Sequence, residues 1–456
     1  MSENKPTKQI GRRDFLRLAS VISGGAILTA CAPQATAAPA QPTAAAAQPT
    51  SAPAAKEMVL IRTTSQMAAD QVSSFAASIQ DDLAAKNIKL EAFQTPMDNW
   101  AQYADKIIIQ IAGGEQLDVL MIAIEGIALL GVKNILVDLA SYLATDPATA
   151  KMVKEDIAPA LTDMLRYKGK LLEIPFSWNN MIIYYNTKIM GDAGIQVPLH
   201  MDWDNFLEIS QKVAKVSGTE SDRYAYSFWG AGFFGMCAWL YQNDGEGVLN
   251  NDWTDSNLNN PKVAETVQYM ADLILKYKVS PNPAGWDEGG QFVAGNLAMR
   301  TCGRWCISGL MNNKFTDYDL VYNPHKSGNI VTVGGTDGWG ISSKTKTPNE
   351  AYIVAAALSG PGPSLEMVKM GGNIPALRSV SKNVEFAEYG QKNNQIFYDS
   401  LEAGCKALPA PTNFNIIEPL VDRNLAPIWN GEVSVEDGLK KAHTELQAEM
   451  DKIKGQ

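Results

Sequence analysis

The feature that most constrains the fold is an alternation of strand-like and helix-like segments where the globular part of the chain begins. Residues 58–64 and 88–93 are short runs rich in strand-forming residues, and 117–122 is an apolar run typical of a buried strand. Between the last two, residues 99–112 carry an apolar stripe of helical spacing that ends at a glycine pair. This order predicts a parallel sheet covered by helices, and hence an α/β fold.

Length and composition bound the class of protein. The chain has 456 residues, of which 46% are hydrophobic and 19% charged, which suits two or three domains with buried cores. Its formal net charge of −10 argues against a nucleic acid as partner and against a charge-driven grip on anionic lipid. No repeat with a period of roughly 20–50 residues is present, so a solenoid or propeller is not favoured.

The N-terminal part is predicted to direct export and anchoring rather than to join the fold. The pair Arg12-Arg13 matches the twin-arginine pattern of a Tat export signal. The apolar run after it is shorter than the roughly 20 residues of a spanning helix, so residues 1–30 are interpreted as a signal peptide. The sequence LTAC resembles a lipobox, which makes Cys31 the lipidation site, followed by an Ala/Pro/Thr-rich tether within 31–56. An ordinary signal peptide with a chance cysteine is the alternative.

Four cysteines remain in the globular part: Cys237, Cys302, Cys306 and Cys405. They form no C-x-x-C pair and have no histidine nearby in sequence, so a metal site is not predicted. Export permits a disulfide, but the sequence does not decide whether one forms. Buried free thiols are the preferred interpretation.

A series of motifs runs through the globular part in a fixed order. The first are YADKIIIQIAGGEQLDVLMI (103–122), IPFSWNNMIIYYNTKIMGDAGI (174–195) and DWDNF (202–206). FVAGNLAMRTCGRW (292–305), VGGTDGWGISSKTKTPNEAYIVAAAL (333–358) and GGNIPALRS (371–379) follow. Together they resemble the extracellular solute-binding proteins of carbohydrate ABC importers, the group that includes maltose-binding protein.

The resemblance implies a two-lobed, periplasmic-binding-protein-like α/β fold with three hinge crossings and a ligand cleft between the lobes. It places lobe one at 57–173 plus 335–371, and lobe two at 174–334 plus 372–456. The crossings are expected near Leu172–Ile174, Val333–Gly335 and Gly371–Asn373. The implied function is that of a monomeric receptor outside the cytoplasm, lipid-anchored to the cell membrane. It would close on a small solute, a carbohydrate, and deliver it to ABC permease subunits without any cofactor.

Carbohydrate recognition suggests which side chains line the cleft. A sugar presents a C–H face that stacks on aromatic rings and a rim of hydroxyls that need polar partners. The aromatic candidates, chosen from the ten tryptophans by sequence context, are Trp178, Trp229, Trp286, Trp305 and Trp339. The polar candidates are Glu125, Asn179, Asp337 and Arg378. Each tryptophan equally suits a core, the glutamate a solvated loop, and the arginine a phosphate or carboxylate ligand.

Other classes of function are weaker but stay open. GAGFFG (230–235) matches G-x-G-x-x-G literally, without the strand–helix context of a dinucleotide site. No P-loop, zincin motif or suitably spaced carboxylate pair is present, so catalysis is not predicted. The alternatives are the same fold binding a polyol phosphate, a peptide or a quaternary amine, an exported carbohydrate-active enzyme, and an adhesive surface lipoprotein.

Overall fold

The computed structural model describes residues 58–455, apart from 218–219, 229–232, 246, 329–331 and 383–392. The signal peptide, Cys31, the tether and Trp229 therefore lie outside the described residues. Every helix within the described ranges is too short or too polar to cross a bilayer.

The predicted alternation forms the parallel part of a seven-stranded sheet. Strand β1 (Val59–Ser65) pairs in parallel with β2 (Ile88–Gln94) and with β3 (Val119–Ala123). The other strands of this sheet are β6 (Ile174–Asn180), β12 (Thr332–Ile341), β13 (Ile374–Pro375) and β14 (Cys405–Ala407). The order is β13-β6-β12-β3-β1-β2, with β14 also paired to β12, which is antiparallel to both β3 and β6.

A second sheet has five strands in the order β11-β7-β10-β9-β8. These strands are β7 (Ile182–Asn186), β8 (Lys215–Ser217), β9 (Glu220–Ser227), β10 (Leu297–Cys302) and β11 (Tyr318–Val321). Strands β9 and β10 are parallel, so their carboxyl ends lie at the same edge. A small hairpin of β4 (Arg166–Tyr167) and β5 (Lys170–Leu171) stands apart from both sheets.

Helices connect and cover the strands. In the first half of the chain they are α1 (Ala69–Ala77), α2 (Gln80–Ala85), α3 (Trp100–Ala112), α4 (Ile124–Val132), α5 (Ala140–Thr145), α6 (Pro147–Glu155), α7 (Pro159–Met164), α8 (Thr187–Asp192) and α9 (Trp203–Val213). In the second half they are α10 (Phe233–Leu240), α11 (Pro261–Leu275), α12 (Glu288–Val293), α13 (Cys306–Asn312), α14 (Pro348–Leu358), α15 (Pro361–Lys369), α16 (Arg378–Ser381), α17 (Ile396–Gly404), α18 (Phe414–Trp429) and α19 (Val435–Asp451).

Side-chain caps explain where several of these helices begin. The carboxylate of Asp202 accepts a hydrogen bond from the Asn205 backbone N–H at 2.7 Å, as its position before the amphipathic stretch predicts. The side chain of Asn99 does the same for α3, accepting from the backbone N–H of Gln102 at 2.9 Å. Each cap satisfies a backbone donor that the first helical turn leaves without a partner.

The chain passes between the two sheets where β6 ends. Met181 alone separates β6 of the first sheet from β7 of the second. This passage lies later than the expected crossing near Leu172–Ile174, because Ile174 and the residues after it form an internal strand with buried side chains. The return passage enters the first sheet at Thr332, close to the expected position. Beyond Gly371–Asn373, β13 pairs with β6 and so still belongs to the first sheet.

Candidate functional site

Helix α18 lies where the two lobes meet. It packs against α10, α11 and α19, and also contacts α3 and α4, which follow strands of the first sheet. The side-chain amide of Asn415, near its start, donates to both carboxylate oxygens of Asp105 on α3, each at 3.0 Å. A hydrophobic cluster around the second sheet also takes in Ala101 and Ile124 of the first lobe. The two lobes therefore share a contact surface along α18.

Three carboxyl groups come together beside this surface. Glu125 lies in the first turn of α4, directly after β3, while Glu418 and Asp422 lie one turn apart on α18. Burial raises the pKa of Glu125 to about 7. Burial, together with the charges of Glu125 and Asp422, raises the pKa of Glu418 to about 8. Because α18 contacts α4, Glu418 lies near enough to Glu125 and Asp422 for their charges to act on it.

Two oxygens in this group have no donor. Oε2 of Glu125 and Oε2 of Glu418 are buried and accept no hydrogen bond from any described residue. Asp422 differs, because its Oδ1 accepts a hydrogen bond from the backbone N–H of Phe233 at 3.0 Å. Burial raises the pKa of Asp422 to about 6, and this hydrogen bond offsets part of the rise. A buried acceptor without a donor is unfavourable unless a ligand supplies one.

An aromatic pair lies next to the carboxyl groups. Trp305 follows β10 and is half-buried, and its ring stacks on Phe234 with 6.5 Å between centroids and 30° between planes. Phe234 is the neighbour of Phe233, whose N–H binds Asp422, so the aromatic pair and the acidic group share the start of α10. The site thus combines flat apolar rings with hydrogen-bond acceptors, the combination that a polyhydroxylated ring requires.

The other predicted tryptophans lie apart from this group. Trp178 and Trp339 have only 1% and 0% of their surface exposed and belong to hydrophobic clusters of the core. Trp339 packs near Phe176, with 6.0 Å between ring centroids. Trp286 is half-buried and meets the Tyr224 ring edge-on at 5.6 Å. Of the described tryptophan candidates, Trp305 is connected to the carboxyl groups through Phe234 and its neighbour Phe233.

The predicted polar residues lie on four different elements. Glu125 belongs to the acidic group, whereas Asn179 lies at the end of β6 opposite Gly335, with a buried Oδ1 that has no donor among the described residues. Arg378 begins α16, and its backbone N–H donates to the carbonyl of Asp156 at 2.8 Å.

Asp337 joins three strands at the hinge. Its two oxygens accept from the Ser177 hydroxyl at 2.6 and 2.7 Å, and one also accepts from the side-chain amide of Asn373 at 3.2 Å. Burial raises the pKa of this carboxyl group to about 7, although these hydrogen bonds act in the opposite direction. Because Ser177 lies on β6, Asp337 on β12 and Asn373 directly before β13, the network fixes the relative positions of these three segments.

Sequence reasoning missed part of the site. Nothing in the sequence singled out Glu418 and Asp422, because acidic residues one turn apart are also typical of a solvated helix face. The preference for free thiols is wrong for Cys302 and Cys306, which form a disulfide, while Cys237 and Cys405 are free. Among the described residues, no group of His, Cys, Asp and Glu could hold a metal ion.

Comparison with known proteins identifies the family. A model of the bacterial extracellular solute-binding protein family matches residues 74–394, and the chain belongs to that family. It is therefore an extracytoplasmic binding protein and not an enzyme.

Solved structures have the same fold, and a curated relative is similar in sequence over part of the chain. An ABC substrate-binding protein of Listeria monocytogenes in complex with cycloalternan is 19% identical, with a TM-score of 0.75 over 86% of this chain and 99% of that one. A solute-binding protein of Thermotoga lettingae bound to α-D-tagatose is 20% identical, with a TM-score of 0.74 over 87% of this chain and 100% of that one. The arabinooligosaccharide-binding protein of Bacillus subtilis is 25% identical over 204 residues, which span 44% of this chain and 43% of that relative.

Proposed function

We propose that the chain is the substrate-binding lipoprotein of an ABC importer and that it captures a carbohydrate for delivery to a membrane permease. The observation that carries the proposal is the pair of buried, donor-free oxygens on Glu125 and Glu418 beside the stacked Trp305 and Phe234. Sugar hydroxyls would hydrogen-bond to these carboxyl groups, and the C–H face of a sugar ring would cover the indole. The relatives that bind cycloalternan, tagatose and arabinooligosaccharides support this ligand class.

The rival ligands fit this chemistry less well. A polyol phosphate would bring negative charge to an acidic group, and Arg378, the residue suited to a phosphate, lies on α16 rather than with the three carboxyl groups. A quaternary amine would find aromatic rings and negative charge, but it has no N–H to donate to the two free oxygens.

The first experiment is thermal unfolding of the full-length protein with maltose, arabinotriose, cycloalternan, tagatose, a polyol phosphate and betaine. A ligand at about 100 times its Kd stabilises the folded state by about 2.7 kcal/mol, which shifts the Tm measurably. We expect a shift with at least one saccharide, reduced in Glu125→Gln/Glu418→Gln and unchanged in Glu436→Gln, an exposed acid on α19. A shift with the phosphate or betaine alone would overturn the ligand class.

The proposal includes a division into two lobes, with the first crossing at the end of β6, and the lipid anchor at Cys31. The LTAC sequence and the tether support the anchor, and extracytoplasmic placement of the family agrees with it. Cells expressing the wild type should incorporate a clickable palmitate into the protein and retain it in the membrane fraction. Cys31→Ser should lose the label and appear in the soluble fraction, and equal labelling of both forms would contradict the anchor.

A further inference from the structure

A disulfide closes the connection that carries Trp305. Cys302 is the last residue of β10 and Cys306 the first of α13, and their disulfide leaves only Gly303, Arg304 and Trp305 between strand and helix. The disulfide therefore joins the two ends of the segment that presents the indole at the proposed site.

Each of the three enclosed residues makes its own contact. The Gly303 carbonyl accepts a hydrogen bond from the Tyr184 hydroxyl at 2.7 Å. A Cβ at Gly303 would lie 1.8 Å from the Trp305 ring, so the indole is folded over its own connection. The fully buried guanidinium of Arg304 donates to the carbonyl of Gly372 and, at 3.3 Å, to that of Asn373.

The flanking elements are held by interactions other than the disulfide. Ile307 and Leu310 of α13 are buried in the same hydrophobic cluster as Cys302 and Leu297 of β10. Helix and strand should therefore stay docked when the disulfide is opened, while the three-residue connection gains conformational freedom. The part of the molecule that responds is then the indole and the guanidinium rather than the fold.

We propose that Cys302 and Cys306 are positioning residues, whose disulfide holds Trp305 in the orientation that binds carbohydrate. The same disulfide keeps Arg304 in contact with the backbone carbonyls of Gly372 and Asn373, directly before β13. This inference rests on the proposed function. Ordering a side chain on binding costs affinity, and a connection fixed beforehand avoids that cost. Through Arg304 the same connection links the second sheet to Gly372 and Asn373 at the hinge. The position of the indole is therefore coupled to the relative orientation of the two lobes.

The test compares the oxidised full-length protein with two disulfide-free forms, namely Cys302→Ser/Cys306→Ser and the wild type treated with tris(2-carboxyethyl)phosphine. The phosphine cleaves the S–S bond to two thiols and becomes its oxide, with water supplying the oxygen and the two protons. Cys237→Ala, at a free cysteine in the core, is the control. By calorimetry with the saccharide that gives the largest Tm shift among maltose, arabinotriose and cycloalternan, both disulfide-free forms should bind about three- to tenfold more weakly.

A double-mutant cycle separates positioning from general stability. If the disulfide acts through Trp305, its loss should have little further effect on affinity in Trp305→Ala. Gly303→Ala, which forces the indole away, should reproduce the loss with the disulfide intact. Should the serine variant fail to fold, the phosphine-treated wild type still supplies the comparison. Additive effects, or unchanged affinity on opening the disulfide, would overturn the inference.

A readout without ligand keeps the inference separate from the proposed function. The tryptophan bands of the near-UV circular dichroism spectrum should change on opening the disulfide, and the change should vanish in Trp305→Phe. If no saccharide shifts the Tm, the proposed function fails. The positioning inference is then decided by this spectrum, and a change that persists in Trp305→Phe would reject it.

Discussion

Glu125 and Glu418 each bury a carboxyl oxygen that has no donor among the described residues, which costs stability in the ligand-free protein. The same oxygens favour binding when a ligand donates to them, because their burial already limits their contact with solvent. Instability without ligand and affinity for ligand thus arise from the same atoms. This predicts opposite effects of mutation on stability and on binding.

The stability effect should appear as a pH dependence that Glu418→Gln reduces. The pKa of Glu418 is raised from 4.5 to about 8, so the folded protein keeps a proton that the unfolded chain has released. Its contribution to the free energy of unfolding is therefore greatest at low pH and is lost as pH rises through about 8. In urea unfolding without ligand, the free energy of unfolding of Glu418→Gln should rise relative to that of wild type by up to about 4–5 kcal/mol between roughly pH 5 and 9, since each pKa unit corresponds to about 1.4 kcal/mol. Glu436→Gln should follow the wild type, and parallel curves for Glu418→Gln would contradict the assignment.

For Asp337 we expect mutation to lower stability instead, because its oxygens already have protein donors. Asp337→Ala leaves the buried Ser177 hydroxyl and the Asn373 amide without their acceptor, which should lower the free energy of unfolding by about 2–3 kcal/mol. Asp337→Asn keeps one acceptor oxygen and should lose less. Chemical denaturation of both variants tests this, and equal losses would show that charge rather than hydrogen bonding matters there.

At the scale of elements, β12 depends on glycines that let its neighbour come close. A Cβ at Gly338 would lie 2.5 Å from the carbonyl oxygen of Ile174 in β6. A backbone atom cannot relieve such a contact by changing rotamer, as a side chain can. Gly338→Ala should therefore destabilise the protein by about 2 kcal/mol. Gly191→Ala in α8, where a Cβ meets no atom within 4 Å, should instead stabilise by about 0.5–1 kcal/mol. Thermal unfolding distinguishes the two signs, and a loss in both would refute the argument.

The elements also show which parts of the fold can be predicted from the sequence. The periodicities of 58–64, 88–93 and 99–112 predict β1, β2 and α3, because an apolar pattern reports which face of an element is buried. The position of the first hinge crossing could not be predicted in the same way. A buried internal strand such as β6 and a segment that crosses between lobes have the same composition, and only pairing partners tell them apart.

The site was predictable to the extent that it followed local motifs. Glu125 after a strand and Trp305 after a Gly-x segment are at strand ends, where ligand sites are common in α/β folds, and both belong to the proposed site. Trp178 and Trp339 have equally suggestive neighbours in sequence but are buried by residues from distant strands. Glu418 joins the site only because α18 reaches across to α4, a long-range contact that no local pattern encodes.

For the whole molecule, we expect closure to depend on contacts along α18 as well as on contacts with the ligand. The Asn415–Asp105 hydrogen bonds and the shared hydrophobic cluster link the lobes directly. A ligand shifts the equilibrium toward the closed form only by its higher affinity for that form. Contacts between the lobes set the population of the closed form in the absence of ligand. A smaller population lowers the apparent affinity, because part of the binding free energy is then used to close the lobes.

Asn415→Ala should therefore weaken binding without touching the ligand-contacting side chains. Removal of the bonds to Asp105 disfavours the closed form by about 1 kcal/mol, which corresponds to about a fivefold loss of carbohydrate affinity, mainly through faster release. Stopped-flow fluorescence gives the release rate, and small-angle scattering gives the radius of gyration with and without saccharide. Asn205→Ala, at an exposed position of α9, should leave both unchanged. If Asn415→Ala released ligand at the wild-type rate, the α18–α3 contact would not bear on closure, and the hinge network around Asp337 would be the part of the molecule that sets it.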